Sequence, residues 1–458
     1  MSKPFVIAVA VAATAHLAAS GFAGGPLKSI ITETFPTPGS GGLPVSSVND
    51  PYLTRDGRVA LTGSLDLGGG TIMPFVWVDG GIVWLNSDAS PTVLTGAEGT
   101  MGVSDSLDWI YSPSEGGLDS VWMNGSSLHK ETDPAPGLPG VYLTFCSRPQ
   151  MTADGVPTWV SGISAVQGGG AQYRALYYGN QVILAGGDVV SGESIITAGT
   201  SVGFGYDFST FGTHYISRAV ISASSTTNDV IVYDDAILAR EGTPTGAGDN
   251  WQNFGEMKAN EFGDFVFSGD TDAAAAADGY LAFNDEIPMR EGQTIAGFTL
   301  SGNPSAVGLN DLRQFGAIWG TTRGEILFVV TPGVAGPQVD VLMKVGDAVD
   351  IDGDGNADGT ITDFNASTTV APGLDLPRQC RVCADVDVQL ASGTTVGAIV
   401  CAPLPPAPGL ADLDGNGAVD GADLAVLLGA WGGPGVTDFN CDGTTDAADL
   451  AILLGAWS

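Results

Sequence analysis

The sequence predicts a mainly β fold: a β-propeller of about seven blades, with a small all-α domain behind it. Three observations carry this. Short strands recur with a loose period close to about fifty residues; 67 Gly and 26 Pro are scattered along the chain, as many tight turns require; and near the C-terminus an acidic loop followed by one helix occurs twice. At about 150 residues per domain, 458 residues suggest two or three domains, and one large β domain with a small tail fits equally well. A hydrophobic content of 44 % argues against disorder.

Residues 1–23 read as a secretory signal peptide, with Lys3, an apolar run from Phe5 to Ala13 and the small-residue ending Gly21-Phe22-Ala23. The run is too short for a membrane span, and no second hydrophobic segment suggests one, so the expected location after cleavage near Ala23 is secreted or cell-surface. Residues 24–44 form an N-terminal lead-in.

The repeat occupies 45–402. Its first strand shows in Thr54-Arg-Asp-Gly-Arg-Val-Ala-Leu-Thr-Gly63, Thr152-Ala-Asp-Gly-Val-Pro-Thr-Trp-Val-Ser-Gly162, Ala259-Asn-Glu-Phe-Gly-Asp-Phe-Val-Phe-Ser-Gly269 and Asn310-Asp-Leu-Arg-Gln-Phe-Gly-Ala-Ile-Trp-Gly320. The second strand recurs as Phe75–Gly80, Ser120–Gly125, Ala175–Asn180, Val230–Asp235 and Tyr280–Asp285, each ending on a pair of Asp, Asn or Gly that tolerates positive φ. Radial repetition of such units is how propellers avoid long open sheet edges. Six or eight blades also fit, and a pair of β-sandwiches is the alternative, though it gives no reason for the register to persist. The recurring Ala239-Arg-Glu-Gly242 and Met289-Arg-Glu-Gly292 are read as turns that close a blade rather than as an active-site ring.

Five cysteines survive signal cleavage: Cys146, Cys380, Cys383, Cys401 and Cys441. In an exported chain some should be oxidised, and the odd number leaves one over. A hairpin centred on Ser392 would set Cys383 opposite Cys401, which predicts that bridge. A metal or redox reading of Cys380-Arg-Val-Cys383 has no second CxxC and no nearby His in its favour.

An Asp-rich insertion, 346–363, interrupts one unit. With Asp350 as position 1, oxygen donors fall at Asp350, Asp352, Asp354, Asn356 and Asp358, the spacing of a twelve-residue Ca²⁺ loop. Ile361 stands at position 12, where an acid belongs, with Asp363 two residues further on. A third Ca²⁺ site is the expectation here.

The Pro-rich tract 403–409 favours extended polyproline II and is expected to separate the propeller from the tail, 410–458. The two halves of the tail superimpose with a shift of 26, Asp412 on Asp438 and Trp431 on Trp457. Each loop carries side-chain oxygens at positions 1, 3, 5, 9 and 12 and Gly at position 6. In the helix after each loop, Leu424, Leu427, Leu428 and Trp431 predict one apolar stripe. Eight Asp and no Lys or Arg between 410 and 458 repel one another, so cation binding should be coupled to folding.

The tail resembles a type I dockerin, the module that attaches secreted proteins to cohesin domains; similar tails occur on secreted proteins of planctomycete-like bacteria. The resemblance covers about 409–458. It implies two Ca²⁺, held by Asp412, Asp414, Asn416, the Ala418 carbonyl, Asp420 and Asp423, and by Asp438, Asn440, Asp442, the Thr444 carbonyl, Asp446 and Asp449. It also implies a cohesin-like or other cell-surface partner. The specificity positions 10 and 11 hold Gly421 and Ala422, then Ala447 and Ala448, unlike the hydroxyl-bearing pairs of familiar dockerins.

A formal net charge of −35 excludes nucleic acid as a natural partner. Only His129 and His214 survive signal cleavage, so a zinc site of several His is excluded, and neither His sits in a nucleophile-elbow or HExxH context. No P-loop or dinucleotide fingerprint is present. No catalytic residue is assigned. The expectation is a secreted, non-catalytic propeller binding or scaffold protein attached through its calcium-dependent tail. The alternative is a polysaccharide-degrading propeller enzyme, a glycoside hydrolase or lyase, whose carboxylates are assembled in space.

Overall fold

A computed structural model describes residues 25–458 except 89–93, 200, 334–335 and 366–373; the signal-peptide segment lies outside the described residues. Seven sheets stand around an axis as a seven-bladed β-propeller, and Val189–Val190 and Glu193–Ser194 make a further two-stranded ribbon. Blades 1 to 6 are antiparallel meanders in chain order, with blade 3 typical: Tyr142–Met151, Pro157–Ser164, Tyr173–Tyr178 and Gln181–Ala185 pair as successive neighbours. The predicted hairpin pairs take up left-handed backbone, with φ of 43° at Asp79, 49° at Asn124, 45° at Asp234 and 52° at Asn284. Both Arg-Glu-Gly repeats are turns. Arg240 bonds the Thr227 carbonyl (2.9 Å) and Glu193, while Arg290 pairs with Asp249 (2.7 Å).

Blade 7 differs from the reading above. The acidic segment does not interrupt a unit; it is the turn between Ala348–Asp350 and Gly359–Phe364, which form the first hairpin of this blade. The lead-in is not a passive leader either. Its strand Leu27–Thr32 pairs antiparallel with Thr395–Pro403 and parallel with Ala348–Asp350, so the last sheet curls into a small closed barrel around Val349, Ile361, Val386, Val388, Ala398 and Val400. The strand escaped notice because it is a single copy with no repeat to match. Both ends of the propeller chain therefore meet in one sheet, which joins the ring.

Inside the ring, the inner turn of each of blades 1 to 6 begins with a buried Thr, Ser or Asn. The side-chain oxygen accepts an N–H four or five residues on: Arg58 N to Thr54 Oγ1 (3.0 Å), Asp108 N to Ser104 Oγ (3.1 Å), Val156 N to Thr152 Oγ1 (2.9 Å), His214 N to Ser209 Oγ (3.0 Å), Asp264 N to Asn260 Oδ1 (2.9 Å) and Gln314 N to Asn310 Oδ1 (3.0 Å). The next residue then bonds the neighbouring blade. Arg55 N donates to Asp105 Oδ1 (3.1 Å), Asp105 N to Ala153 O (3.0 Å), Ala153 N to Thr210 O (2.8 Å), Glu261 N to Asp311 Oδ1 (3.0 Å), and Arg378 N back to Arg55 O (2.9 Å). These bonds form a collar around the axis. Gly57 is required there, because at φ 77° a Cβ would stand 3.1 Å from the Gln379 carbonyl of blade 7.

At the C-terminus lie two short helices, α1 (Gly421–Gly429) and α2 (Ala447–Gly455). The predicted stripe is only half right. Leu427 and Leu453 are buried and Leu424 and Leu450 partly so, but Leu428 (52 % exposed) and Trp431 (48 %) face outward. The helices are only nine residues long, and much of their core comes from the loop residues Ala411, Val419 and Phe439, which leaves the far side of each helix uncovered.

The Pro-rich tract is not a spacer. Leu404 and Ala407 are buried, Leu404 N bonds Cys380 O (3.0 Å), and Gln314 Nε2 bonds Pro405 O (2.8 Å).

If the collar closes the ring, Asn310→Ala, which also frees the Pro377 carbonyl (2.8 Å), should lower the unfolding free energy by about 1–3 kcal/mol in urea titrations. An unchanged midpoint would contradict this role.

Candidate functional site

The two tail loops fold alike. Asp412 accepts from the backbone N–H groups of Asn416 (3.2 Å) and Gly417 (2.8 Å), as Asp438 does from Asp442 (3.2 Å) and Gly443 (2.7 Å). Asp420 and Asp446 are the N-caps of α1 and α2, each in a capping box with the fully buried Asp423 or Asp449. Asp423 also accepts from Leu413 (2.6 Å) and Asp414 (3.2 Å), and Asp449 from Asn440 (3.1 Å). Asn416 bonds Asp414 (2.9 Å) and Asn440 bonds Asp442 (2.8 Å), with Ala418, half-buried, and Thr444, exposed, following on the loops.

In the first loop, oxygen atoms of Asp412, Asp414 and Asp423 lie within 4.8 Å of one another. The blade 7 turn brings Asp350, Asp352 and Asp358 equally close. Asp354 and Asn356 bond each other instead (3.0 Å) and are exposed. Asp363 does not complete that turn, since it faces Glu325, whose carboxyl is pushed up to about 7 by burial and by Asp363. Ile361, at the twelfth position, is a core residue.

The tail is seated on the collar rather than held away from it. Arg378 donates to the carbonyls of Leu410 (3.0 Å) and Asp412 (2.6 Å), and Gln379 to those of Gly435 (3.1 Å) and Asp438 (2.7 Å), so one collar turn holds the first residue of both loops. A disulfide between Cys380 and Cys441 fastens the same contact, and Gly415 packs near the Phe262 ring of blade 5. The other disulfide is the expected Cys383–Cys401, across the hairpin whose register pairs these two residues. Cys146 is buried and outside both bridges. No local pattern marks the Cys380–Cys441 link, because its separation of 61 residues crosses from repeat to tail.

An axial cavity of about 140 Å³ opens inside the collar, walled by residues of the inner turns and by Leu374–Pro377. Across it, Lys258 of blade 5 pairs with Asp207 of blade 4 (3.4 Å) and with Asp375 (3.0 Å). Asp375 also accepts from Leu53 N (3.1 Å), and Asp207 from Ala259 N (3.0 Å). Burial pushes Asp207 up to about 6, against the opposing pull of Lys258. It also pushes up Glu256, to about 7, on the inner strand of blade 5, and Asp385, to about 8, on blade 7. No sequence motif marked these residues, which come from separate segments, Val202–Phe208, Trp251–Ala259, the loop at Asp375 and Arg381–Leu390.

His129 lies in the outer strand Ser126–Lys130 of blade 2 and His214 immediately before the strand Tyr215–Val220 of blade 4. His129 bonds Asn180 (2.8 Å) and stacks on Trp159, and His214 bonds Asp234 (2.5 Å). Among the described residues, no helix is long and apolar enough to cross a membrane.

No protein-family model matches the chain, and no curated protein does. Among solved structures, a gluconolactonase from Xanthomonas campestris aligns at 10 % identity and a TM-score of 0.28, over 64 % of this chain and 94 % of its own. A subtype N11 neuraminidase-like protein from a flat-faced bat isolate aligns at 10 % and 0.31, over 84 % and 99 %. PorZ, a surface component of the type-IX secretion system of Porphyromonas gingivalis, aligns at 10 % and 0.31, over 80 % of this chain and 58 % of its own. Likenesses this distant carry no inference about activity.

The raised carboxyl groups make a pH prediction. Their folded pKa values lie above the ordinary range near about 4, so the folded state holds protons that the unfolded chain has released. Stability should therefore fall as pH rises from about 4 to about 8. At saturating Ca²⁺ the melting temperature should be higher at mildly acidic than at mildly alkaline pH, with Glu256→Gln flattening the slope. A rise in stability over that interval would contradict the assignment.

Proposed function

We propose that this chain is an exported, non-catalytic propeller that presents a binding surface and is attached to an extracellular or cell-surface protein through a Ca²⁺-loaded, dockerin-like tail. The observation that carries the reading is the wrapping of each tail loop around its first aspartate, with Asp412, Asp414 and Asp423 converging. The donors are all oxygen, which suits a hard cation with six to eight ligands. Carboxylates held this close repel one another unless a cation joins them. Asp412, Asp414, Asn416, Asp420, Asp423 and the Ala418 carbonyl would hold one Ca²⁺, and Asp438, Asn440, Asp442, Asp446, Asp449 and the Thr444 carbonyl the second. The turn bearing Asp350, Asp352 and Asp358 would take a third.

A protein partner for the tail is supported by its outer surface. Val426, Leu428 and Trp431 of the first half and Ile452, Leu454 and Trp457 of the second are all exposed, an apolar set duplicated like the loops. Gly421, Ala422, Ala447 and Ala448 are exposed at the helix starts. A cohesin-like protein suits such a surface. Export is supported by the segment 1–23 and by two disulfides, which persist in oxidising compartments.

One observation favours a second reading, an enzyme acting on polysaccharide. Burial pushes the carboxyls of Glu256 and Asp385 up, to about 7 and about 8, toward the range in which a general acid keeps its proton. Release of new reducing ends or unsaturated sugars from plant or algal polysaccharide would establish it and sink the non-catalytic reading.

Equilibrium dialysis of the intact protein against Ca²⁺ should find two sites that disappear together in the Asp412→Ala, Asp438→Ala double variant, and a further one lost in Asp350→Ala. No binding at millimolar Ca²⁺ would rule out the ligand assignment.

A further inference from the structure

The two tail loops are chemically matched, so a difference in how the collar holds them should show in how each holds Ca²⁺. Each offers four Asp and one Asn among its side-chain donors, and the ligand charge that tunes the affinity of such loops is therefore equal. They differ at the fourth position, a non-ligand that stands between the donors at positions 3 and 5. Both fourth residues take left-handed backbone, and both meet the propeller. In the first loop the residue is Gly415, at φ 72°, against the Phe262 ring of blade 5. In the second it is Cys441, at φ 62°, bonded to Cys380 of blade 7. Glycine reaches that conformation freely and a residue with a Cβ does so at a cost, so the second loop gives up the favoured residue where it gains a covalent anchor.

A second contact falls on the same joint. Gln379, beside Cys380, donates to the carbonyls of Asp438 (2.7 Å) and Gly435 (3.1 Å), so the hydrogen bond and the disulfide together fix positions 1 and 4 of the second loop. Holding this segment, which carries Asp438, Asn440 and Asp442, removes part of the ordering that a free loop must undergo when it wraps a cation. The bridge is also the more accessible of the two disulfides. Cys441 is exposed and Cys380 half-buried, whereas Cys383 (2 % exposed) and Cys401 (8 %) lie in apolar packing with residues of blade 1. Exposed disulfides are the labile ones in thiol–disulfide exchange. A dithiol would attack Cys441 Sγ through one thiolate and displace Cys380 as a thiolate. Its second thiolate then closes on the first and releases Cys441. Two electrons pass from the dithiol to the bridge, and the two cysteine thiolates take up the two protons the dithiol gives up.

We propose that Ca²⁺ binding at the second tail loop is redox-gated: the Cys380–Cys441 disulfide raises that loop's Ca²⁺ affinity, and a dithiol that opens the bridge lowers it. This gating rests on the Ca²⁺ reading of the tail and adds its regulation. Linkage makes it reciprocal, so Ca²⁺ in the second loop must protect the bridge from reduction by the same factor.

The test uses the full-length protein in two single-loop backgrounds, Asp412→Ala with Asp350→Ala, and Asp438→Ala with Asp350→Ala. Each is titrated calorimetrically with Ca²⁺, before and after dithiothreitol, with alkylation and mass spectrometry recording that Cys383–Cys401 stays closed. Reduction should weaken the second loop about tenfold, within what one disulfide contributes, and the first loop by less. In the unsubstituted protein, where no substitution can disturb folding, the ratio of reduced to oxidised dithiothreitol that opens half of Cys380–Cys441 should rise about tenfold when Ca²⁺ is saturating. The proposal is overturned by an affinity of the second loop that reduction does not change, by equal weakening of both loops, or by a Cys380–Cys441 bridge whose reduction ignores Ca²⁺. Loops that bind no Ca²⁺ while the bridge is intact would overturn the tail reading itself, and the gating with it.

Discussion

A ring of blades is only as stable as its closure, and here closure is made at two radii. Toward the outside, the strand Leu27–Thr32 joins the last sheet and turns it into a barrel. At the axis, successive inner turns are tied by backbone and carboxylate hydrogen bonds from Arg55 to Asp105, Ala153 and Thr210, from Glu261 to Asp311, and from Arg378 back to Arg55. In blades 1 to 6 the turn's first residue, a buried Thr, Ser or Asn, satisfies an N–H of its own turn, which leaves the second residue free to bond a neighbour. The cavity inside the collar is a consequence of the same construction, since seven inner turns meeting around an axis leave room that short side chains do not fill.

The collar also decides what the tail can do. Arg378 and Gln379 reach from it to the first residue of each acidic loop, and Cys380 makes the contact covalent. A tail on a flexible tether would present any of its faces. This one has a fixed inner side against blades 5 and 7 and an outer side bearing the duplicated Val, Leu, Ile and Trp residues. The order of the acidic loops and the order of the collar are linked through the carbonyls of Asp412 and Asp438.

Much of this was legible in the sequence where a pattern repeats. The fifty-residue register, the Asp, Asn and Gly hairpin pairs and the two tail loops are all local signals written more than once, and their geometry follows. The Cys383–Cys401 bridge was legible because a hairpin fixes its own register. What escaped was single or long-range: the closing strand 27–32, the seating of Pro405 and Leu404, the Cys380–Cys441 link, and the Lys258 cluster, whose three members come from three separate segments. The helix stripe misled for a related reason. Period alone cannot say that a helix of nine residues will share its core with loop residues such as Val419 and Phe439, so that Leu428 and Trp431 are left outside.

The collar and the acidic loops are joined as one mechanical unit by Arg378, Gln379 and the Cys380–Cys441 disulfide. Hydrogen–deuterium exchange on the intact protein, with Ca²⁺ and then with a chelator, tests it most directly. Chelation should speed exchange in 410–458 and also at Arg378 and Arg381 of the collar turn, while the inner strands of blade 3 keep their protection. Exchange in the tail that ignores Ca²⁺, or a tail that loosens with no change at Arg378, would contradict it.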